Sequence, residues 1–181
     1  MTIPSEKWKA DFRRQLLTRF QKLPDPEPIL KRFEEAFEKL QASFRAILEG
    51  TGLTIDEGFG GLRYLNKDGQ TGYQQMKYYT AKFGNDELYF MPFRLVQHPD
   101  QIQKYPGLIG AALISSSGQA DVLCSTRVYV FEQFGSQLVW LYPTKRVEDW
   151  FQKKHYAIFD ETILRQLLED AFLREEDREE L

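Results

Sequence analysis

Hydrophobic residues near the N-terminus recur at the spacing of an α-helix. Over residues 5–22 they fall on one face, separated by charged and amide side chains: Trp8, Phe12, Leu16 and Phe20. This pattern predicts an amphipathic helix, with Ser5 as its N-cap. The helix is expected to end at the prolines 24, 26 and 28, because proline fixes its own φ and disfavours helix in the residue before it.

A second helix is predicted over about residues 29–49. Its apolar residues are spaced four, three, four and three apart: Phe33, Phe37, Leu40, Phe44 and Ile47. Two heptads with bulky phenylalanines are too short for a free-standing coiled coil. We therefore expect this helix to pack within the domain, on a sheet or on another helix.

The middle of the chain, from Leu62 to Tyr142, alternates in the manner of β-strands. Turn-forming residues divide it into six predicted strands, at about 61–66, 72–83, 87–97, 108–115, 121–133 and 137–143. In the third strand both alternating sets of side chains are largely apolar, so both faces of the sheet are expected to be covered. The glycine-rich segment 50–61 is interpreted as a flexible connector.

Helical spacing returns after Pro143. A short helix capped by Thr144 is predicted first, then a longer one with Asp160 as N-cap, and the charged residues 174–181 are expected to fray. The predicted fold class is α+β, an antiparallel β-meander of about six strands packed with two N-terminal helices and a C-terminal helix. A single domain over 1–181 is expected, with helices at about 5–49, strands at about 61–143 and helices at about 144–176.

Composition and charge narrow the classes of partner. The chain has 181 residues, with 24 basic and 27 acidic side chains and a formal charge of -3, which argues against general nucleic-acid binding. The single Cys124 cannot form an internal disulfide, and the first residues lack the apolar stretch of a secretory signal. The longest apolar run, at about 107–114, is too short to span a bilayer. A cytoplasmic protein that does not insert into membranes is expected.

No motif for a metal, a cofactor or a catalytic group is present. His98, His155 and Cys124 lack the paired spacing of a zinc site, so no metal and no cofactor are predicted. Cys124 shares its alternating set with valines, which favours a core residue over a nucleophile. Residues 58–61 are glycine-rich but lack the Lys-Ser/Thr and the helix that follow a phosphate loop. No catalytic residue is predicted.

Two arginines stand out because they lie within apolar strands. A buried guanidinium needs an acceptor, and for Arg94 and Arg127 an anionic ligand would supply one. We expect that ligand in an aromatic pocket between the sheet and the C-terminal helix. The predicted lining is Arg94, Arg127, Tyr78, Tyr129 and Trp140. The alternatives are exposure of the arginines to solvent and ion pairs with acidic side chains, for which the candidates are Asp121, Glu87 and Glu132.

Three functions are compatible with these features. The lack of a catalytic motif and an aromatic content of 14% favour a non-enzymatic binding or protein-interaction domain, an adaptor or accessory protein with a protein partner or a homodimer face. The second function is a small-molecule carrier or sensor that holds an anionic ligand. The third is an enzyme without a recognisable motif, which would require Glu132 or Asp121 to converge with Arg127.

Overall fold

The computed structural model describes residues 6–20, 23–116, 126–133, 137–144 and 153–173. Its helices are α1 (Glu6–Phe20), α2 (Pro26–Leu48), α3 (Pro99–Lys104) and α4 (Glu161–Phe172). Its strands form one sheet in chain order: β1 (Thr54–Leu65), β2 (Thr71–Phe83), β3 (Asp86–Leu95), β4 (Leu108–Ser116), β5 (Thr126–Gln133), β6 (Gln137–Pro143) and β7 (Tyr156–Ile158). Consecutive strands are antiparallel. The predicted α+β meander is confirmed, with seven strands.

Helix α2 is stabilised both by the residues at its N-terminus and by the burial of its apolar face. The carboxylate of Asp25 accepts a hydrogen bond from the backbone N–H of Glu27, and prolines occupy the first turn, where a missing N–H costs nothing. Phe33, Phe37 and Phe44 are fully buried against the sheet. Packing is close, since a Cβ at Gly110 of β4 would lie 2.6 Å from the Phe33 ring. The predicted docking of this helix is confirmed.

Helix α4 covers the same face of the sheet. Asp160 caps it, as predicted, by accepting a hydrogen bond from the backbone N–H of Ile163. Leu164, Leu167 and Ala171 are buried in one cluster with the phenylalanines of α2. We call this face of the sheet the helix side, and the opposite face the arginine side.

Strand β1 begins at Thr54, so the interpretation of residues 50–61 as a flexible connector is wrong from Thr54 onward. The glycines there are needed for close contact between strands. A Cβ at Gly60 would lie 2.9 Å from side-chain atoms of both Met91 and Pro92. The β1–β2 hairpin can therefore twist over β3, and Arg63 of β1 lies beside Arg94 of β3 in a parallel pairing.

The sheet splits between β2 and β3, and a glutamine side chain fills the opening. These strands pair only from Thr80 with Tyr89 to Phe83 with Asp86. At the next position the amide of Gln41, on α2, accepts from the N–H of Tyr79 at 2.9 Å and donates to the carbonyl of Phe90 at 3.0 Å. Gln41 is buried, and it replaces the hydrogen bond that the two backbones would otherwise form.

Other differences from the sequence prediction lie near the ends of strands. The short helix α3 and the short strand β7 were not predicted. Strand β5 is described from Thr126 onward, and the predicted start at 121 lies outside the described residues. Cys124, the predicted N-cap Ser5, the helix predicted after Thr144 and the charged tail lie outside the described residues, so those predictions stand untested. The backbone N–H and the hydroxyl of Thr144 both donate to the carbonyl of His155.

Candidate functional site

A bulge in β3 determines which side chains meet on the arginine side. The pairing with β4 passes from Pro92–Ala112 directly to Arg94–Ala111, so Phe93 is an extra residue. Before the bulge, Leu88 and Phe90 face the helix side; after it, Leu95 does. The bulge therefore places Phe93 and Arg94, although adjacent in sequence, on the arginine side. Proline favours a bulge here because it donates no ladder hydrogen bond.

Three arginines from three strands surround the ring of Phe93. The distances from Cζ to the ring centroid are 5.9 Å for Arg63, 5.4 Å for Arg94 and 5.5 Å for Arg127. Each distance is within the range of a cation–π contact. We call these four residues the arginine cluster.

The register of the sheet explains how the cluster forms. One row runs across the strands at these paired positions: Arg63, Arg94, Ala111, Tyr129 and Leu141. Ala111 contributes only a methyl group, so the side chain of Arg94 can cross β4. The buried Tyr129 interacts with the guanidinium group of Arg94, in part through a side-chain hydrogen bond. Arg94 is half-buried, while Arg63 and Arg127 are exposed.

The positive charges of Arg63 and Arg127 repel that of Arg94. Burial lowers the pKa of the Arg94 guanidinium, Tyr129 raises it, and the positive charges of Arg127 and Arg63 lower it. Arginine remains protonated at neutral pH. Burial also raises the pKa of Tyr156 to about 12, with Tyr129 acting in the same direction and Arg127 in the opposite one. Tyr156, whose ring centroid lies 5.6 Å from that of Tyr129, is therefore neutral at pH 7.

Three acidic side chains were candidates for ion pairs with Arg94 and Arg127, and none of them is seen to form such a pair in the described part of the chain. Glu132 forms an ion pair with Arg32 of α2, on the helix side, and Glu87 lies opposite Lys82 in the β2–β3 pairing. Asp121 lies outside the described residues. Within the described part of the chain, neither Arg63 nor Arg127 forms an ion pair with an acidic side chain. Glu132 therefore does not converge with Arg127.

A cavity of about 380 Å³ adjoins the cluster. Arg63 and Arg94 line it together with Thr71, Gln97 and His98, and leucines supply much of the remaining wall: Leu16, Leu23, Leu65 and Leu95. The amide of Gln97 is engaged, because it accepts from the N–H and donates to the carbonyl of Leu65. The cavity is thus mainly apolar, with Arg63 and Arg94 among its lining residues.

The structure brings together three of the five residues predicted to line a ligand site. Arg94, Arg127 and Tyr129 share the arginine side. Trp140 lies on the helix side, where its indole N–H donates to the carbonyl of Ala36 at 3.1 Å, and Tyr78 packs against the same cluster. Sequence reasoning missed Arg63 and Phe93. Arg63 could have been noticed in the sequence as an arginine within a predicted strand. Its proximity to Arg94 becomes visible only from the contact between β1 and β3.

The space between α2 and α4 differs from the predicted anionic site. A groove of about 670 Å³ is present there, lined in part by Trp140, Phe159 and Leu164. Its cations are already paired, Lys39 with Glu35 at 2.8 Å and Arg165 with Glu161 at 2.6 Å. Neither Arg94 nor Arg127 is part of its described lining. The arginines thus lie at a different site from the one expected beside the C-terminal helix.

Metal and membrane features can be assessed for the described residues only. Among them, no group of three His, Cys, Asp or Glu side chains is arranged to hold a metal ion. His98 lies 3.6 Å from a carboxylate oxygen of Asp100. No helix within these residues has both the length and the apolar character needed to cross a bilayer.

Comparisons of the chain with protein family models, with curated proteins and with solved structures gave no significant match.

Proposed function

We propose that this protein is a non-enzymatic binding protein that holds a small anionic ligand at the arginine cluster. The observation that supports the proposal is the convergence of Arg63, Arg94 and Arg127 on the single ring of Phe93. The positive charges of Arg63 and Arg127 act against that of Arg94, and a bound anion would attract all three guanidinium groups.

The cluster is arranged in advance of binding. Arg94 interacts with the buried Tyr129, and all three arginine side chains come from strands of one sheet and lie beside the ring of Phe93. Little conformational entropy is then lost when the ligand binds. Guanidinium groups also suit this role because their planar donors bind oxyanions in a bidentate manner.

Native mass spectrometry of the protein purified from its own host tests the proposal. We expect an anionic small molecule to remain bound to the wild type and to be lost from the double variant Arg63→Ala/Arg127→Ala. The matched control is Arg45→Ala, because Arg45 makes the same kind of contact, 5.4 Å from the ring of Tyr79, away from the cluster. Equal ligand content in all three proteins, or no anion in any of them, would contradict the proposal.

A protein partner or homodimer is the second candidate function, and exposed aromatic residues on the β1–β2 hairpin favour it. Phe59, Tyr73 and Phe83 are 71%, 65% and 64% exposed and lie at alternating positions on the same side of the paired strands. Large exposed aromatic groups are typical of docking surfaces. We expect light scattering to detect a dimer that the double variant Phe59→Ser/Tyr73→Ser abolishes. A wild type that is monomeric at every concentration would remove the homodimer.

A further inference from the structure

The cluster and the cavity beside it indicate the chemical class of the anionic ligand, an inference that rests on the function proposed above. We infer that the arginine cluster binds the phosphoryl group of a phosphate monoester, and that the apolar organic part of the ester occupies the adjoining cavity.

The number and the type of the donors favour a phosphoryl group. Three guanidinium groups, from β1, β3 and β5, lie 5.4–5.9 Å from the centroid of one ring, and a guanidinium group carries planar N–H donors. A phosphate monoester presents three terminal oxygens and carries close to two negative charges at neutral pH. A single carboxylate presents two oxygens and one charge, so it offers fewer acceptors and less negative charge to these donors than a phosphate monoester does.

The cavity lies beside the cluster and gives room for the organic part of an ester. Arg63 and Arg94 belong both to the cluster and to the lining of the cavity, so an ester bound at the cluster can place its organic part between the leucines. A volume of about 380 Å³ matches the lower end of the size range of small-molecule sites. The leucines in the lining favour a short apolar group over a sugar, because hydroxyl groups placed against them would lose hydrogen bonds to water.

Tyr156 adds no negative charge beside the cluster. Its ring packs against Tyr129, and burial raises its pKa to about 12, so this phenol is neutral at pH 7. It therefore does not neutralise the guanidinium groups before the ligand arrives.

Isothermal titration calorimetry at constant ionic strength tests the inference with three probes: hexyl phosphate, butylmalonate and inorganic phosphate. Butylmalonate carries two negative charges and an apolar chain, but its carboxylates are planar. We expect hexyl phosphate to bind roughly 10-fold to 100-fold more tightly than either of the others. Arg127→Lys, which keeps the charge but loses the planar fork, should weaken hexyl phosphate by about 10-fold, and Arg45→Lys should have no effect.

A second variant tests the cavity separately. Leu16→Trp adds volume to the wall, so it should weaken hexyl phosphate and leave inorganic phosphate unchanged. Circular dichroism confirms that each variant is folded.

The outcomes separate this inference from the proposed function. If butylmalonate binds as tightly as hexyl phosphate, or Arg127→Lys binds like the wild type, phosphoryl recognition is wrong while anion binding stands. If inorganic phosphate equals hexyl phosphate, the cavity does not hold the organic part. If no probe binds and Arg63→Ala/Arg127→Ala behaves like Arg45→Ala, the inference and the proposed function both fail.

Discussion

The two faces of the sheet differ in how their polar groups are partnered. On the helix side, the buried amide of Gln41 joins two backbone groups, and the indole N–H of Trp140 reaches the carbonyl of Ala36. On the arginine side, three positive charges crowd around Phe93. In the first arrangement each buried polar group has a partner, whereas in the second the positive charges of Arg63 and Arg127 act against that of Arg94.

This difference separates the residues that hold the fold from those available for binding. Groups that serve stability are expected to be satisfied within the fold, and local conflicts are expected at functional sites. Substitutions on the helix side should therefore change the free energy of unfolding, and substitutions of the outer arginines should change binding alone.

The largest effect is expected for Phe37→Ala. Phe37 is fully buried and contacts both Phe33 and Trp140, so its loss removes apolar contacts and leaves a cavity. The free energy of unfolding, measured by urea denaturation, should fall by about 3–5 kcal/mol. Phe59→Ala is the control, since that ring is 71% exposed, and equal losses in the two variants would contradict this assignment of the core.

A smaller loss is expected for Gln41→Met, which keeps the side-chain volume and removes the amide. The N–H of Tyr79 and the carbonyl of Phe90 would then be buried without partners, which should cost about 2–4 kcal/mol. Hydrogen exchange at the amide of Tyr79 should accelerate. Gln75→Met, on the exposed part of β2, is the matched control. Unchanged exchange at Tyr79 would show that the amide does not close the gap.

Arg127→Ala should leave stability within about 0.5 kcal/mol of the wild type in urea denaturation. The variant loses a cation–π contact with Phe93 but also loses repulsion from the neighbouring guanidinium groups, so the two terms offset each other. Added salt screens repulsion, and should therefore stabilise the wild type more than the variant. A loss of several kcal/mol would mean that Arg127 serves the fold.

The smallest effect is confined to alkaline pH and concerns Tyr156. Its pKa is raised from 10.0 to about 12 in the folded protein, so the folded state holds this proton more tightly than the unfolded state. The stability from this group is complete below pH 10 and is lost as the pH rises toward 12. Urea denaturation of Tyr156→Phe should show a shallower decline over that interval.

Arg127 provides a sharper test of the same group. Because Arg127 lowers the pKa of Tyr156, Arg127→Ala should move the tyrosinate absorbance change of Tyr156 to higher pH. The phenol of Tyr142, whose pKa is raised by burial and by Asp170, should titrate as in the wild type. A parallel shift of both phenols would indicate a general change in the fold.

Elements with a strong local period could be predicted from the sequence. The four, three, four, three spacing in α2 identified Phe33, Phe37 and Phe44 as buried, and the cap at Asp160 marked the start of α4. Most strand ends could be placed because turn residues lie between them. Strand β1 could not, because glycines that permit close strand contact look the same in sequence as glycines of a connector.

The site was only partly predictable, because it depends on register. Arg94 and Arg127 could be singled out as charges within apolar strands. Strict alternation places Phe93 and Arg94 on opposite faces of the sheet, whereas the bulge after Pro92 places both on the arginine side. The contact of Arg63 with β3 follows from the twist of the hairpin. Trp140 pairs with Val130, so it lies on the other face of the sheet from Tyr129. None of these pairings has a local signal.

The single bridge between β1 and β3 gives a bound anion a mechanical role. A ligand that joins Arg63 to Arg127 would tie the outermost hairpin to the centre of the sheet, across strands that separate near Gln41. Such a tie would slow the opening of the hairpin, so occupancy could be read as slower hydrogen exchange along β1. The protein would then report the presence of its ligand through the rigidity of one edge.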